Sequence, residues 1–292
     1  MKKIAFTIAV LTSISISSIW AENNSASEST VHYVKTPKFA LPLVEKWITE
    51  YAKTHPGVEF QIVRGNQNQG TIDLSVVFEN QDLKKEDFNY SVVYFGEFAV
   101  LPITSSGSKA AKVLQGKHLN SKKLKQLYFF NDDFEEGSKK NTQFDNLTIY
   151  SGSNASSVAK SFAHNLGEES SHFRGKRLSG DDLYLNTALS KDSLGISFNA
   201  LPNIFDLNSR HIKDNLSLIG IDVKKNLEES FSDKTTLDEV ISALENDRVQ
   251  EVAVGKIGLS YNQADDDVNQ FLQWVLANGT KYNHQYGLLN LR

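Results

Sequence analysis

Cysteine is absent from the 292 residues. That excludes disulfides, thiol catalysis and thiolate metal sites, and in an exported chain it also excludes a lipid anchor on an N-terminal Cys. Proline is sparse at five residues, and the single methionine is the first residue. There is no excess of positive charge: 31 Lys and Arg stand against 35 Asp and Glu, a net charge of −4. A mildly acidic chain lacks the basic face that a phosphate backbone demands, so no nucleic-acid partner is expected. Long apolar runs are also missing beyond the first 21 residues. With 40% hydrophobic and 10% aromatic residues, the chain is nonetheless rich enough to bury a genuine core.

The one apolar-to-small run, Ile4 to Ile19, follows Lys2-Lys3 and precedes Ala21 and the polar ENNSASEST. That order reads as a secretory signal over residues 1–21, cleaved after Ala21. A membrane anchor would need about 20 unbroken apolar residues. Here Thr7, Thr12, Ser13, Ser15, Ser17 and Ser18 interrupt the run. Cleavage leaves 271 residues, and losing Lys2 and Lys3 takes the net charge from −4 to −6. The expected product is periplasmic and soluble, with no membrane anchor and a flexible leader over residues 22–31.

Helix and strand patterns then alternate without any internal repeat, which points to an α/β protein with mixed sheets and flanking helices. Leu41, Val44, Trp47, Ile48 and Tyr51 make one stripe of a helix over Leu41 to Lys53, stopped by Pro56-Gly57. Strands are predicted over Val58 to Val63, from Ile72 onward, and along Tyr90 to Ile103. Near Pro102 the texture turns small and polar, and a lobe boundary is placed there. Beyond it come a strand at Leu147 to Tyr150, a helix at Ser157 to Leu166, and strands at Leu194 to Phe198 and Leu216 to Val223. A helix opening on the capping box Thr236-x-x-Glu239 follows, then strand character at Glu251 to Gly255. The last helix carries Val268, Phe271, Leu272, Val275 and Leu276, and Gly279 is read as its C-terminal cap.

Enzyme signatures are missing: there is no G-x-S-x-G, H-E-x-x-H, G-x-x-x-x-G-K or G-x-G-x-x-G. No catalytic activity and no cofactor are expected. The seven histidines are scattered without metal-ligand spacing. Asp265, Asp267 and Asn269 imitate a calcium loop, but Gln270 and Leu276 occupy its Gly and Glu positions, so these acids are read as helix N-terminal residues. Lys122, Lys123 and Lys125 read as a solvated helix face.

Two segments look like polar-ligand cradles. Thr36 to Pro42 leads straight into the first helix, and Tyr150 to Ser157 joins a strand to the middle helix. Such junctions present free backbone N–H groups at a positive dipole end, though Ser and Thr there can equally serve as caps alone. A third segment, Gly175 to Leu185 with Ser193 to Asn199, is dense in Gly, charge and amide. Asp181, Asp182 or Asn199 can sit at a cleft rim, but a turn and helix cap is the simpler account.

The first cradle with its helix, T-P-K-F-A-L-P followed by L-V-E-K-W-I-T-E-Y, resembles the opening of the phosphate-specific periplasmic binding proteins of ABC transporters. Phe271 to Tyr282, F-L-Q-W-V-L-A-N-G-T-K-Y, is similar to that family's closing helix. The resemblance implies a two-lobed type II periplasmic-binding-protein fold with the ligand in the cleft between lobes. Lobe 1 would comprise residues 32–103 plus 253–292, and lobe 2 residues 104–252. It also implies capture of a small anion or polar solute, phosphate among them, an ABC permease as partner, and a monomer. The ligand-binding set expected on this resemblance is Thr36, Lys38, Phe39, Ser75, Tyr150, Ser151, Ser153, Asn154 and Ser156, with Arg64, in a segment that has no family counterpart, as an alternative to Lys38 for positive charge. Tyr150 stands where the family has its phosphate-gripping Arg, and Phe78 where it has the Asp that accepts the phosphate proton. An envelope sensing or protein-interaction module with a degenerate cleft is the alternative.

Overall fold

The computed structural model describes residues 30–63, 71–79, 90–130, 144 and 146–292. The expected signal and most of the leader, and Arg64, lie outside the described residues. β1 (Val31–Lys35) was not separated from its surroundings by periodicity, because five residues of alternating burial make a strand only once partners flank them. Those partners are β2 (Glu59–Ile62) and β3 (Leu74–Phe78), both parallel to it. The crossover between β1 and β2 is α1 (Leu41–Ala52), which starts with Pro42 in its first turn and buries Leu43, Val44, Trp47 and Tyr51.

β4 (Ser91–Ser105) is long because it runs through both halves of the sheet, changing partners along its length. Its first part, Ser91 to Val100, pairs antiparallel with β9 (Ala253–Tyr261), which in turn pairs antiparallel with β3. From Val100 on it pairs instead with β7 (Gly195–Ala200), and at Ile103 to Ser105 with β8 (Leu216–Leu218). β5 (Thr148–Gly152) lies parallel to β7 and to β6 (Lys176–Leu178). Among the described residues the strand order is therefore β2-β1-β3-β9-β4-β7-β5-β6, with β8 on the far end of β4. Two strands, β4 and β9, pass between the halves, crossing where Val100 faces Ala253.

Helices cover both halves. α2 (Lys109–Leu114), α3 (Ser121–Tyr128), α4 (Ser157–Asn165), α5 (Leu183–Lys191), α6 (Leu201–Ile204) and α7 (Leu237–Asn246) belong to the second half, and α8 (Asp266–Trp274) returns to the first. The capping box is present: Thr236 accepts from Glu239 N–H while the Glu239 carboxylate accepts from Thr236 N–H at 2.7 Å. Aromatic rings centre each half. Tyr51 and Phe60 pack on Phe271 in the first, and Phe162, Phe173 and Phe198 stack in the second.

Two predicted features differ. The strand expected to run to Val223 ends at Leu218, because the chain changes partner: Leu119 N–H donates to Gly220 O and Ile221 bridges to Leu119, away from β4. Gly279 is not a left-handed cap, since its φ is −75°. The last helix widens instead over Val275–Gly279, with Thr280 N–H reaching Val275 O, and this turns Leu276 out to 46% exposure. Gly279 serves as the seat of Trp47, whose indole N–H donates to its carbonyl at 2.9 Å. A Cβ there would stand 2.8 Å from Trp47 Nε1.

Candidate functional site

A cavity of about 500 Å³ opens between the halves, in the size range of small-molecule sites. From the first half it is lined by Lys35 to Phe39, Ser75 to Phe78, Tyr90 and Ser260. From the second half come Ala155 to Ser157, Gly180 to Asp182, and Asn203. The N-terminal ends of α1 and α4 thus approach the same space from opposite sides, and the two cradles read from sequence converge on it.

The floor is apolar. Phe39 is buried, its ring 5.7 Å from Phe78 and 6.2 Å from Phe98, and Phe78 meets Phe98 edge-on at 5.0 Å. Phe78 therefore fills with a core ring the position where the resembling family carries an acceptor carboxylate. Lys38 stands at the mouth with its side chain 60% exposed, its Nζ 4.0 Å from Asp181 Oδ2 across the cleft and over the Tyr184 ring at 5.6 Å. The α1 start has no side-chain cap; Ala40 N–H and Leu41 N–H turn back to Pro37 O and Lys38 O.

The opposite wall is acidic. Asp181 Oδ1 accepts from Leu183 N–H at 2.8 Å, closing the turn that Gly180 enters at φ +105°. Asp182 accepts the Ser156 hydroxyl proton at 2.7 Å, while the same Ser156 oxygen accepts from Ala159 N–H and caps α4. Burial pushes the Asp182 carboxyl up to about 6, with the Ser156 hydrogen bond opposing and the Asp181 charge assisting. Beneath it lies an amide network: Asn199 Nδ2 donates to Asp182 O at 2.8 Å and to Asn186 Oδ1 at 2.9 Å, and Asn203 Nδ2 donates to Asn199 Oδ1 at 2.8 Å. All three amides are buried.

Of the expected ligand-binding residues, Thr36, Lys38, Phe39, Ser75 and Ser156 line this cavity. Tyr150, Ser151, Ser153 and Asn154 do not. Tyr150 points its hydroxyl at Asp192, donating at 3.0 Å, and burial raises its pKa. Ser151 is fully buried with no hydrogen-bond partner for its hydroxyl among the described residues. The Ser153 carbonyl accepts from Ser156 N–H, and Asn154 accepts from Arg177 at 2.5 Å. Of Asp181 and Asp182, read mainly as a turn and cap, Asp181 closes the turn, Asp182 stands at the α5 N-cap position without a side-chain cap, and both line the cavity. Tyr90, Asn203 and Ser260 carried no sequence signal, since each reaches the site only through the assembled sheet.

Elsewhere, Lys125 pairs with Glu168 at 2.5 Å, so the α3 lysines act in part as a helix-face tether. Asp265 caps α8, accepting from Val268 N–H at 2.9 Å. His32 is buried with Asp73, Asp265 and Asp267 oxygens 3.7–3.9 Å away. Among the described residues no group of three or more such side chains is arranged to hold a metal ion.

The sequence matches no family description and no curated protein. Solved structures do share its architecture. A putative phosphate ABC transporter substrate-binding protein with bound phosphate from Clostridium perfringens aligns with a TM-score of 0.60 at 12% identity, covering 90% of this chain and 100% of that one. An ABC-type phosphate transport receptor from Vibrio cholerae gives 0.56 at 10% identity, again over 90% and 100%. The CcmR regulatory domain of Synechocystis PCC6803 in complex with 2-PG gives 0.51 at 13% identity, over 85% and 96%. Binding proteins and a regulatory domain share one architecture here, and the fold of this chain is the two-lobed type II periplasmic-binding-protein fold.

Proposed function

We propose that this protein is an exported solute-binding protein that captures a small anion or polar solute between its lobes and delivers it to an ABC permease. The observation that carries this reading is the cavity lined jointly by the Thr36–Phe39 loop of one half and Ser156, Asp181 and Asp182 of the other. Lobe 1 is assigned to residues 32–103 and 253–292 and lobe 2 to residues 104–252, with β4 and β9 as hinges. Capture is then lobe closure about those strands, with no chemistry at the site. The secretory pattern of residues 1–21 supports a periplasmic product, and among the described residues no helix is long and apolar enough to cross a membrane. Ligand-binding roles are assigned to Thr36, Lys38, Phe39, Ser75 and Ser156.

A sensing role in the envelope is the second reading, favoured by the regulatory domain that shares the fold. Titration calorimetry with oxyanions and small polar solutes, combined with small-angle scattering, tests capture: binding with a fall in radius of gyration is expected. Silence across the panel, together with a stoichiometric non-permease partner recovered from envelope extract, would turn the assignment to sensing.

A further inference from the structure

We infer that the captured solute is a small zwitterion of the amino-acid type, its ammonium end against Asp181 and Asp182 and its carboxylate end toward Lys38 and the start of α1. This rests on the capture reading above and narrows it. The charged side chains lining the cavity among the described residues are Lys35, Lys38, Asp181 and Asp182, two of each sign, which suits a solute of no net charge. The signs are also segregated, with the lysines on the first lobe and the carboxylates on the second.

No guanidinium lines the cavity among the described residues. On the second lobe, Arg177 is spent on Asn154 and the Ser171 carbonyl. A dianion would therefore meet two consecutive carboxylates where it needs a bidentate cation, and desolvated like charges repel strongly. An ammonium meets acceptors instead. Asp181 Oδ1 is taken by Leu183 N–H and Asp182 Oδ1 by the Ser156 hydroxyl, so each carboxylate keeps its second oxygen for the solute.

At the other lip, Lys38 Nζ already lies 4.0 Å from Asp181 Oδ2. A molecule with both charges a few bonds apart can replace that pair with two contacts of its own, the carboxylate taking Lys38 and the ammonium taking Asp181. The backbone N–H groups of Lys38 and Phe39, without a hydrogen-bond partner among the described residues, add donors beside the carboxylate. Phe39, Val76, Val77 and Phe78 supply apolar wall, which covers a carbon frame and gives an inorganic anion nothing.

Titration calorimetry on the purified protein decides it, with the common L-amino acids as zwitterions, ethanolamine and propionate as single-ended controls, and inorganic phosphate as the dianion. At least one amino acid should bind about tenfold or more tighter than either control, and phosphate more weakly still. The double variant Asp181→Asn, Asp182→Asn should lose about tenfold or more of that affinity while improving phosphate, a gain that mere damage to the fold cannot produce. Phosphate binding tighter than every amino acid, or a double variant with unchanged amino-acid affinity, overturns the charge assignment and leaves capture standing. No heat and no compaction with any probe overturns the capture reading itself.

Discussion

Asp182 is a residue that costs stability where it sits. Its folded pKa of about 6 lies above the ordinary carboxylate value, so between those two the native state holds a proton that the unfolded chain has released. Stability therefore falls as pH rises through that window and stays lowered above about 6. A shift of this size corresponds to at most about 3 kcal/mol, which solvent in the open cleft reduces to about 1–2 kcal/mol. Asp182→Asn keeps the shape without the charge. In urea denaturation it should match the parent near pH 4 and exceed it by about 1–2 kcal/mol at pH 7.5. A gap independent of pH would mean that desolvation of the carboxylate is not the cause. Groups kept at such a cost are characteristic of binding sites rather than of packing. The sequence placed Asp182 in a polar turn, which it is; its burial comes from Ser156 and Asn199 arriving from elsewhere in the chain, and no local pattern encodes that.

At the scale of elements, what was legible followed from periodicity and caps. α1, α4, α7 and the long β4 appear within a few residues of their predicted bounds because stripe, Pro-Gly stop and capping box act locally. The misses share one cause, a partner distant in sequence. β1 needs two neighbours, β8 ends because Leu119 competes for its chain, and Gly279 answers to Trp47, 232 residues away. This last contact fixes α1 to the C-terminal segment, as Trp47 is fully buried and meets Phe95 edge-on at 4.7 Å. Gly279→Ala puts a methyl group 2.8 Å from the indole nitrogen. The ring cannot retreat in a close-packed core, so a loss of about 1–3 kcal/mol is expected despite alanine's better helix propensity. Thermal melts followed by tryptophan fluorescence would read it, and a stabilised variant would show that the indole has room. Both cradles were visible as loop-helix junctions; that they face each other was not, since it depends on β4 and β9 crossing.

For the whole molecule, the question is what holds the lobes at their present separation. Two strands connect them, and at the mouth of the cleft Lys38 reaches from the first lobe to Asp181 and the Tyr184 ring of the second. The lysine is exposed, the carboxylate is partly covered, and the two meet at the outer limit of contact, so the pair's worth is about 1 kcal/mol or less, a several-fold bias in a two-state equilibrium rather than a lock. That magnitude is what a binding protein needs. A strong latch would subtract from affinity for every solute, because a ligand shifts the lobes only by its differential affinity for the closed state. Lys38→Ala should accordingly widen the ligand-free ensemble, seen as a small rise in radius of gyration by small-angle scattering that added salt produces in the parent but not in the variant. Stability should change by less than about 0.5 kcal/mol, since the lysine buries little of itself. If the ligand-free scattering of parent and variant is identical at low salt, the strands alone set the opening, and Lys38 acts only on the solute.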